Sequence, residues 1–203
     1  MYEEFIYFVL AFLAGIFVKI VDNIEDESKR KEAPEKWPLA IAYGILIGYL
    51  ISKAPFAMIF LGALCAQAIV RKLDTWTHRI GFTIAILFAL YLGLPEFLLI
   101  PFAVFLIAAS LDEFDKILFW NKPVWVQDFR PILKLVAIPF IFFGKWEYLA
   151  GILAFDVGYI LIELLWKSHA DVETKRTKKT VSSKKKKSKN REKKENLLKN
   201  KYA

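Results

Sequence analysis

Apolar residues along this chain come in long, nearly unbroken runs, separated by short charged patches. The runs fall at 5 to 21, 38 to 52, 55 to 71, 80 to 94, 95 to 111, 131 to 143 and 146 to 166. A helix that is apolar on every side is surrounded by protein or by lipid. Pro38, Pro55, Pro95 and Pro131 stand near four of the starts, where a missing N–H has no intrahelical partner to lose. The pattern therefore predicts an all-α fold, a polytopic transmembrane bundle of about seven spans. Several runs are shorter than the ~20 residues that a ~30 Å hydrocarbon slab requires, so those helices are expected to extend into their polar flanks. The run at 131 to 143 is short and carries Lys134 and Pro139. A re-entrant course is its alternative.

Composition agrees with this reading: 56% of the 203 residues are hydrophobic, and the mean hydropathy is +0.36. The charge is divided unevenly. Residues 167 to 203 hold 15 Lys/Arg against 4 Asp/Glu, whereas residues 1 to 166 hold 14 against 17. Two regions follow, a helical membrane domain at 1–167 and a lysine-rich tail at 168–203 whose composition predicts disorder. The tail's expected partners are anionic lipid headgroups, then ribosomal RNA or another nucleic acid; a purely solvating role is the plain alternative. Cys65 is the lone cysteine, which rules out an intrachain disulfide and a multi-cysteine zinc site. The stretch "MYEEFIYFVLAFLAGIFVKIVD" has an acidic start and no small-residue cleavage site, so it reads as a retained helix and not as a signal peptide.

Orientation follows from the positive charges. The connections after the first, third and fifth runs carry Lys19, Lys29, Arg30, Lys31, Lys36, Arg71, Lys72, Arg79, Lys116, Lys122, Arg130 and Lys134, against only Lys53 and Lys145 on the other side. Positive charges are retained in the cytoplasm, which places the N-terminus outside and the C-terminal tail in the cytoplasm of a multi-pass cell-membrane protein. Trp37, Trp120, Trp125, Trp146 and Trp166 lie near predicted boundaries, as indoles at the headgroup level do. The stretch 117 to 129 is expected to lie along the interface.

Ionisable residues gather where the odd-numbered runs end. The first gives Lys19, Asp22, Asn23 and Asp26; the third gives Gln67, Arg71, Asp74 and His78; the fifth gives Asp112, Glu113 and Asp115. Asp22 and Asp26 are four apart, as are Asp74 and His78. The set Gln67, Arg71, Asp74 and His78 would line one face of a helix that continued past the membrane. Paired oxygen and nitrogen donors at this spacing suit a divalent cation, Mg²⁺ foremost, with zinc or manganese at a site that includes histidine. Against that stands the plain reading, that charged residues solvate helix ends beside basic loops.

The last run departs from its composition at two places. Asp156, Tyr159 and Glu163 follow i, i+3, i+7 and share one stripe,. Asp156 is about ten residues from each end of the run, or roughly 15 Å deep at 1.5 Å per residue. A carboxylate at such depth is unfavourable by about 2.5 to 3.5 kcal/mol on insertion scales, so it faces the protein interior, either neutral or paired with a cation or metal. Glu163 stands about 10 Å nearer the cytoplasm.

Two short stretches resemble known chemistry. "DNIED", 22 to 26, looks like a fragment of the paired-aspartate motifs of intramembrane prenyltransferases, and its Asp-x-x-x-Asp part is shared with the CDP-alcohol phosphotransferases. Both families hold a pyrophosphate at the cytoplasmic surface through aspartates and Mg²⁺. The chain lacks the full Asn-Asp-x-x-Asp-x-x-x-Asp run of the first and the Asp-Gly-x-x-Ala-Arg opening of the second. "HRIGFT", 78 to 83, is similar to the His-Arg-Gly-Phe-Thr-His-Ser element of a family of membrane-bound metal-dependent hydrolases, with Ile80 inserted and the second histidine absent. These are analogies of chemistry and assign the chain to none of the three families.

The leading functional expectation is a divalent-metal-dependent enzyme acting on a phosphate- or pyrophosphate-bearing lipid at the cytoplasmic face. Asp22, Asp26, Asp74, His78, Asp112 and Asp115 would supply metal ligands, Arg71 and Lys72 would neutralise phosphate oxygens, and Asp156 and Glu163 would be catalytic. Two alternatives come from other classes. One is a proton or ion transporter with Asp156 at its midplane and Glu163 and His78 as relays; the other is a non-catalytic scaffold recruiting a partner through its basic tail.

Overall fold

The computed structural model describes residues 2–26, 33–54, 56–71, 73–118 and 130–168, the side chains at 2–4 and 115–118 excepted. The expected interfacial segment at 117 to 129, with Trp120 and Trp125, lies in large part outside the described residues, and the tail beyond Ser168 lies wholly outside them. Met1–Glu163 form one compact unit.

Among the described residues the structure is all-helical: α1 Tyr2–Asp26, α2 Lys36–Ile51, α3 Ala57–Ile69, α4 Trp76–Leu92, α5 Leu99–Leu118 and α6 Pro131–Ile141, then α7 Glu147–Ser168. Among the described residues two segments, Phe5–Asp26 and Glu147–Ser168, are long and apolar enough to cross a membrane; α2, α3, α4 and α6 are shorter apolar helices.

Local chemistry sets the boundaries. Thr75 caps α4 by accepting from the His78 N–H, leaving one fewer orphan donor in the first turn. Gly93 ends that helix at φ +89, a conformation glycine adopts without strain. Pro131 opens α6. The fifth helix begins at Leu99, later than the run at 95 predicts, because residues 93 to 98 form no regular secondary structure. It then continues to Leu118, carrying Asp112 and Glu113 on helix.

The helices run up and down. Lys36 at the start of α2 pairs with Glu25 near the end of α1, and Tyr49 near the end of α2 meets Tyr7 near the start of α1, so these two are antiparallel. A Cβ on Gly44 would meet Gly81 and Ile84, and one on Gly48 would meet Ala85, which makes α2 and α4 parallel. Met58 accepts from the Leu98 N–H, and Gly62 abuts Phe105 and Leu106, so α3 and α5 are parallel. α1 and α7 cross where Gly15 lies against the Phe155 carbonyl and Gly158 against that of Phe12, with 2.1 and 2.2 Å to an added Cβ. Only small residues permit backbones to approach so closely. In consequence α1, α3, α5 and α7 lead toward one end, where α2, α4 and α6 begin.

α3 is the most enclosed helix: Ala57, Met58, Ile59, Phe60, Leu64 and Ala66 are all buried. Outward faces elsewhere are strongly apolar, among them Phe5 and Ile6 on α1, Leu87 and Tyr91 on α4, Ile100 and Ile107 on α5, Leu135 on α6 and Val157 on α7.

Candidate functional site

The end where the odd-numbered helices finish holds a cavity of about 890 Å³, walled by α1, α2, α4 and α7 together with the turn after α3 and Arg130. Its lining joins residues from two of the three sequence clusters, those that end the first and third runs, to the last helix. Asp22 is the centre of a hydrogen-bonded series. His78 Nε2 stands 3.2 Å from Asp22 Oδ1, and the Tyr159 hydroxyl donates to Asp22 Oδ2 at 2.7 Å. Lys19 lies 3.5 Å from the Tyr159 oxygen and pairs with Glu163 at 2.8 Å. The other imidazole nitrogen, Nδ1, is 3.4 Å from the Tyr43 hydroxyl.

This series exists because of the α1–α7 crossing. The close approach at Gly15 and Gly158 aligns the next turn of each helix, so that Lys19 and Asp22 meet Tyr159 and Glu163. His78 joins from the polar first turn of α4, ahead of the apolar run that starts at residue 80. Burial opposes its charge, but the hydrogen bond and the negative charge of Asp22 outweigh it and raise the imidazole above its usual 6.5,. Beside the series, Thr77 donates to Glu25, which also pairs with Lys36 at 3.1 Å.

A second network meets the first at Arg130. Asp156 is 2% exposed and carries two cations, Lys134 Nζ against one oxygen and Arg130 Nη1 3.3 Å from the other. Arg130 also faces Glu113 at 4.0 Å, and its guanidinium lies over the rings of Phe155 and Tyr159 at 5.1 and 5.5 Å. Asp112 accepts from the backbone N–H groups of Ile132 and Leu133 at 2.9 and 2.8 Å. It thus caps α6 from a neighbouring helix, satisfying two donors that Pro131 and Arg130 leave without side-chain partners,.

The six expected metal ligands are divided by this arrangement. Asp22 and His78 touch each other, Asp26 and Asp74 are exposed members of the same lining, and Asp112 belongs to the α6 cap. Asp115 is described only as a backbone position in α5, and Lys72 lies outside the described residues. Among the described residues no three His, Cys, Asp or Glu side chains come together as a group that could hold a metal ion. Both oxygens of Asp22 are already engaged by His78 and Tyr159. The donor set as it stands does not fit a divalent cation, and no chemical step is assigned to one.

Nor do Gln67, Arg71, Asp74 and His78 share a helix face. α3 stops at Ile69, Arg71 adopts a left-handed backbone at φ +58, and α4 starts at Trp76. The turn reverses the chain, yet all four still line the cavity. Asp156 and Glu163, expected on one stripe, belong to different networks.

Other members emerge only in three dimensions. Tyr159 stood on the stripe of Asp156 and Glu163 without a role of its own, Tyr43 and Thr77 carried no signal, and Arg130 and Lys134 counted only as orienting charges. Lys134 was the detectable one, since a cation inside an apolar run is the natural partner for a buried aspartate in another. Asn23 is buried at 6% exposure within the cavity lining, and its Nδ2 has no hydrogen-bond partner among the described residues.

No protein-family model matches the chain, and neither a curated protein nor a solved structure matches it.

Proposed function

We propose that this chain is a multi-span membrane protein of the cell membrane whose polar cavity, on the cytoplasmic side, receives the phosphate-bearing head of a lipid. Apolar outward faces on six of the helices support the membrane setting, since soluble proteins seldom expose so much contiguous apolar surface,. The shorter helices span by continuing into polar flanks and by thinning the bilayer around them.

One observation carries the choice of ligand. Three of the five carboxylates of the lining are engaged within the protein, Asp22 by His78 and Tyr159, Glu25 by Thr77 and Lys36, and Glu163 by Lys19, while Asp26 and Asp74 are exposed. The lining also carries hydrogen-bond donors: the exposed Arg71, the half-buried Arg130, which is shared with Asp156, and the buried Nδ2 of Asn23. An arginine fork matches phosphate geometry, and an orphaned amide N–H gains a partner only when an acceptor arrives. The acid–base group beside a bound head is His78, held in place by Asp22.

The test is equilibrium binding to the purified full chain in nanodiscs of zwitterionic lipid, with dodecyl phosphate, dodecyltrimethylammonium and inorganic phosphate as probes. Dodecyl phosphate is expected to bind saturably, and Arg71→Ala or Asn23→Leu to weaken it about tenfold, the loss of one good charge-assisted contact. Equal binding of the cationic amphiphile, or no saturable binding of the phosphate, overturns the reading.

A further inference from the structure

The lining of the polar cavity keeps some charges outside its internal pairs. Lys19, Lys36 and His78 face Glu163, Glu25 and Asp22, and Arg130 faces Asp156. What remains of the lining, among the described residues, is the exposed cation of Arg71 against the exposed carboxylates of Asp26 and Asp74.

The two acids flank the Asp22–His78 pair. Asp26 follows Asp22 by about one turn of α1,, and Asp74 lies near enough to His78 for its charge to act on the imidazole. Asn23 belongs to the same turn of α1; it is 6% exposed, and its Nδ2 has no hydrogen-bond partner among the described residues. An amide NH₂ only donates, so it calls for an acceptor, whereas ionised carboxylates only accept and call for a donor.

A phosphate alone answers half of this. It would engage the cation and the amide, but it would bring negative charge toward two carboxylates that lack a countercharge among the described residues, and like charges repel. A head with a cation of its own replaces that repulsion by attraction. The cavity has room for one, since about 890 Å³ lies near the upper end of the ~300–1,000 Å³ range of ligand pockets. A primary ammonium suits carboxylates because it donates three hydrogen bonds, while a quaternary ammonium is recognised by aromatic faces. The two tryptophans of the lining already hold cations of the protein, Lys36 at 5.4 Å from the Trp37 ring and Arg79 at 5.3 Å from that of Trp76.

We propose that the lipid head is zwitterionic, a phosphate ester bearing a primary amine, with its phosphate at Arg71 and Asn23 and its ammonium at Asp26 and Asp74. This rests on the phosphate-lipid reading of the cavity and adds the chemical class of the head.

The experiment measures equilibrium binding of dodecyl phosphate and of its aminoethyl, hydroxyethyl and trimethylammonioethyl esters to the full chain in maltoside micelles. The aminoethyl ester is expected to bind at least tenfold more tightly than the hydroxyethyl ester, which has the same phosphodiester charge and nearly the same size. The trimethylammonioethyl ester should show no such gain. Asp74→Asn should reduce the preference severalfold, and the double variant D26N/D74N should erase it. Both variants should bind the hydroxyethyl ester at least as well as the native chain does, which shows that they have folded. Equal binding of the aminoethyl and hydroxyethyl esters, an equal gain from the quaternary ester, or a preference that survives D26N/D74N overturns the head-group class and leaves the phosphate site standing. Absence of saturable binding for every ester and for dodecyl phosphate overturns both.

Discussion

Two ionic networks are built at the same end of this bundle from the same kinds of residue, and they differ in what surrounds them. In the first, Asp156, Lys134, Glu113 and Asp112 are each under 8% exposed, and their partners are one another, the first turn of α6 and the half-buried Arg130. In the second, Asp22, His78 and Glu163 are partly open to an 890 Å³ cavity. A buried charge is tolerable only while its partner remains, so the first network is committed to holding α5, α6 and α7 together. The second exchanges partners at lower cost because it opens onto the cavity. Identical side chains thus become a brace or a site according to access.

The contrast is most exposed by removing the acid at each centre. Asp156→Ala leaves the buried Lys134 without its carboxylate and takes one of its acidic partners from Arg130, and a loss of about 3 to 5 kcal/mol is expected,; Asp22→Ala, at a partly open site, should cost about 1 kcal/mol. Unfolding midpoints of both variants in one mild detergent decide it, and equal losses would erase the distinction. Next in size is Gly158→Leu. A side chain there strikes the Phe12 carbonyl, so α1 and α7 must separate, with a loss of about 1 to 3 kcal/mol and weakened dodecyl phosphate binding as Lys19 and Asp22 part from Tyr159. Binding preserved at full strength in that variant would show that the second network tolerates separation.

Asp112→Ala removes the cap on α6. It is expected to lower stability by about 0.5 to 2 kcal/mol while leaving phosphate binding unchanged, since Asp112 does not line the polar cavity. The smallest effect is a pH slope. His78 has a raised pKa in the folded chain, so its pairing with Asp22 contributes fully below the ordinary value of 6.5 and fades as pH rises through the raised value. The unfolding midpoint should fall across that window, and Asp22→Asn should flatten the slope. A midpoint that rises with pH there would reverse the assignment.

How much of this was legible beforehand differs from element to element. The runs at 5 to 21 and 146 to 166 became, among the described residues, the two helices long and apolar enough to cross a membrane, because apolar length is a property of contiguous sequence. The face expected to carry Gln67, Arg71, Asp74 and His78 failed because it assumed helix through 70 to 75. The left-handed Arg71 and the Thr75 cap interrupt it, and neither stands out in a charged stretch lacking glycine and proline. The metal set drew on spacing alone, and spacing does not report that Asp22 has both oxygens occupied or that Asp112 caps another helix.

By itself the sequence determined which segments are helical and apolar, that charge gathers at the ends of the odd-numbered runs, and that Asp156 stands among apolar neighbours. These are consequences of local composition and period, which each stretch carries alone. Only the tertiary structure decided which charges meet. Pairing depends on where helices cross, and the crossing of α1 with α7 is set by two glycines 143 positions apart in the chain, Gly15 and Gly158. Their contact aligns Asp22 with Tyr159, and the α5–α6 packing gives Asp156 to Lys134 and Arg130. No local pattern encodes that partition, because the energy of an ion pair resides in a distance between segments and in the solvent excluded from it.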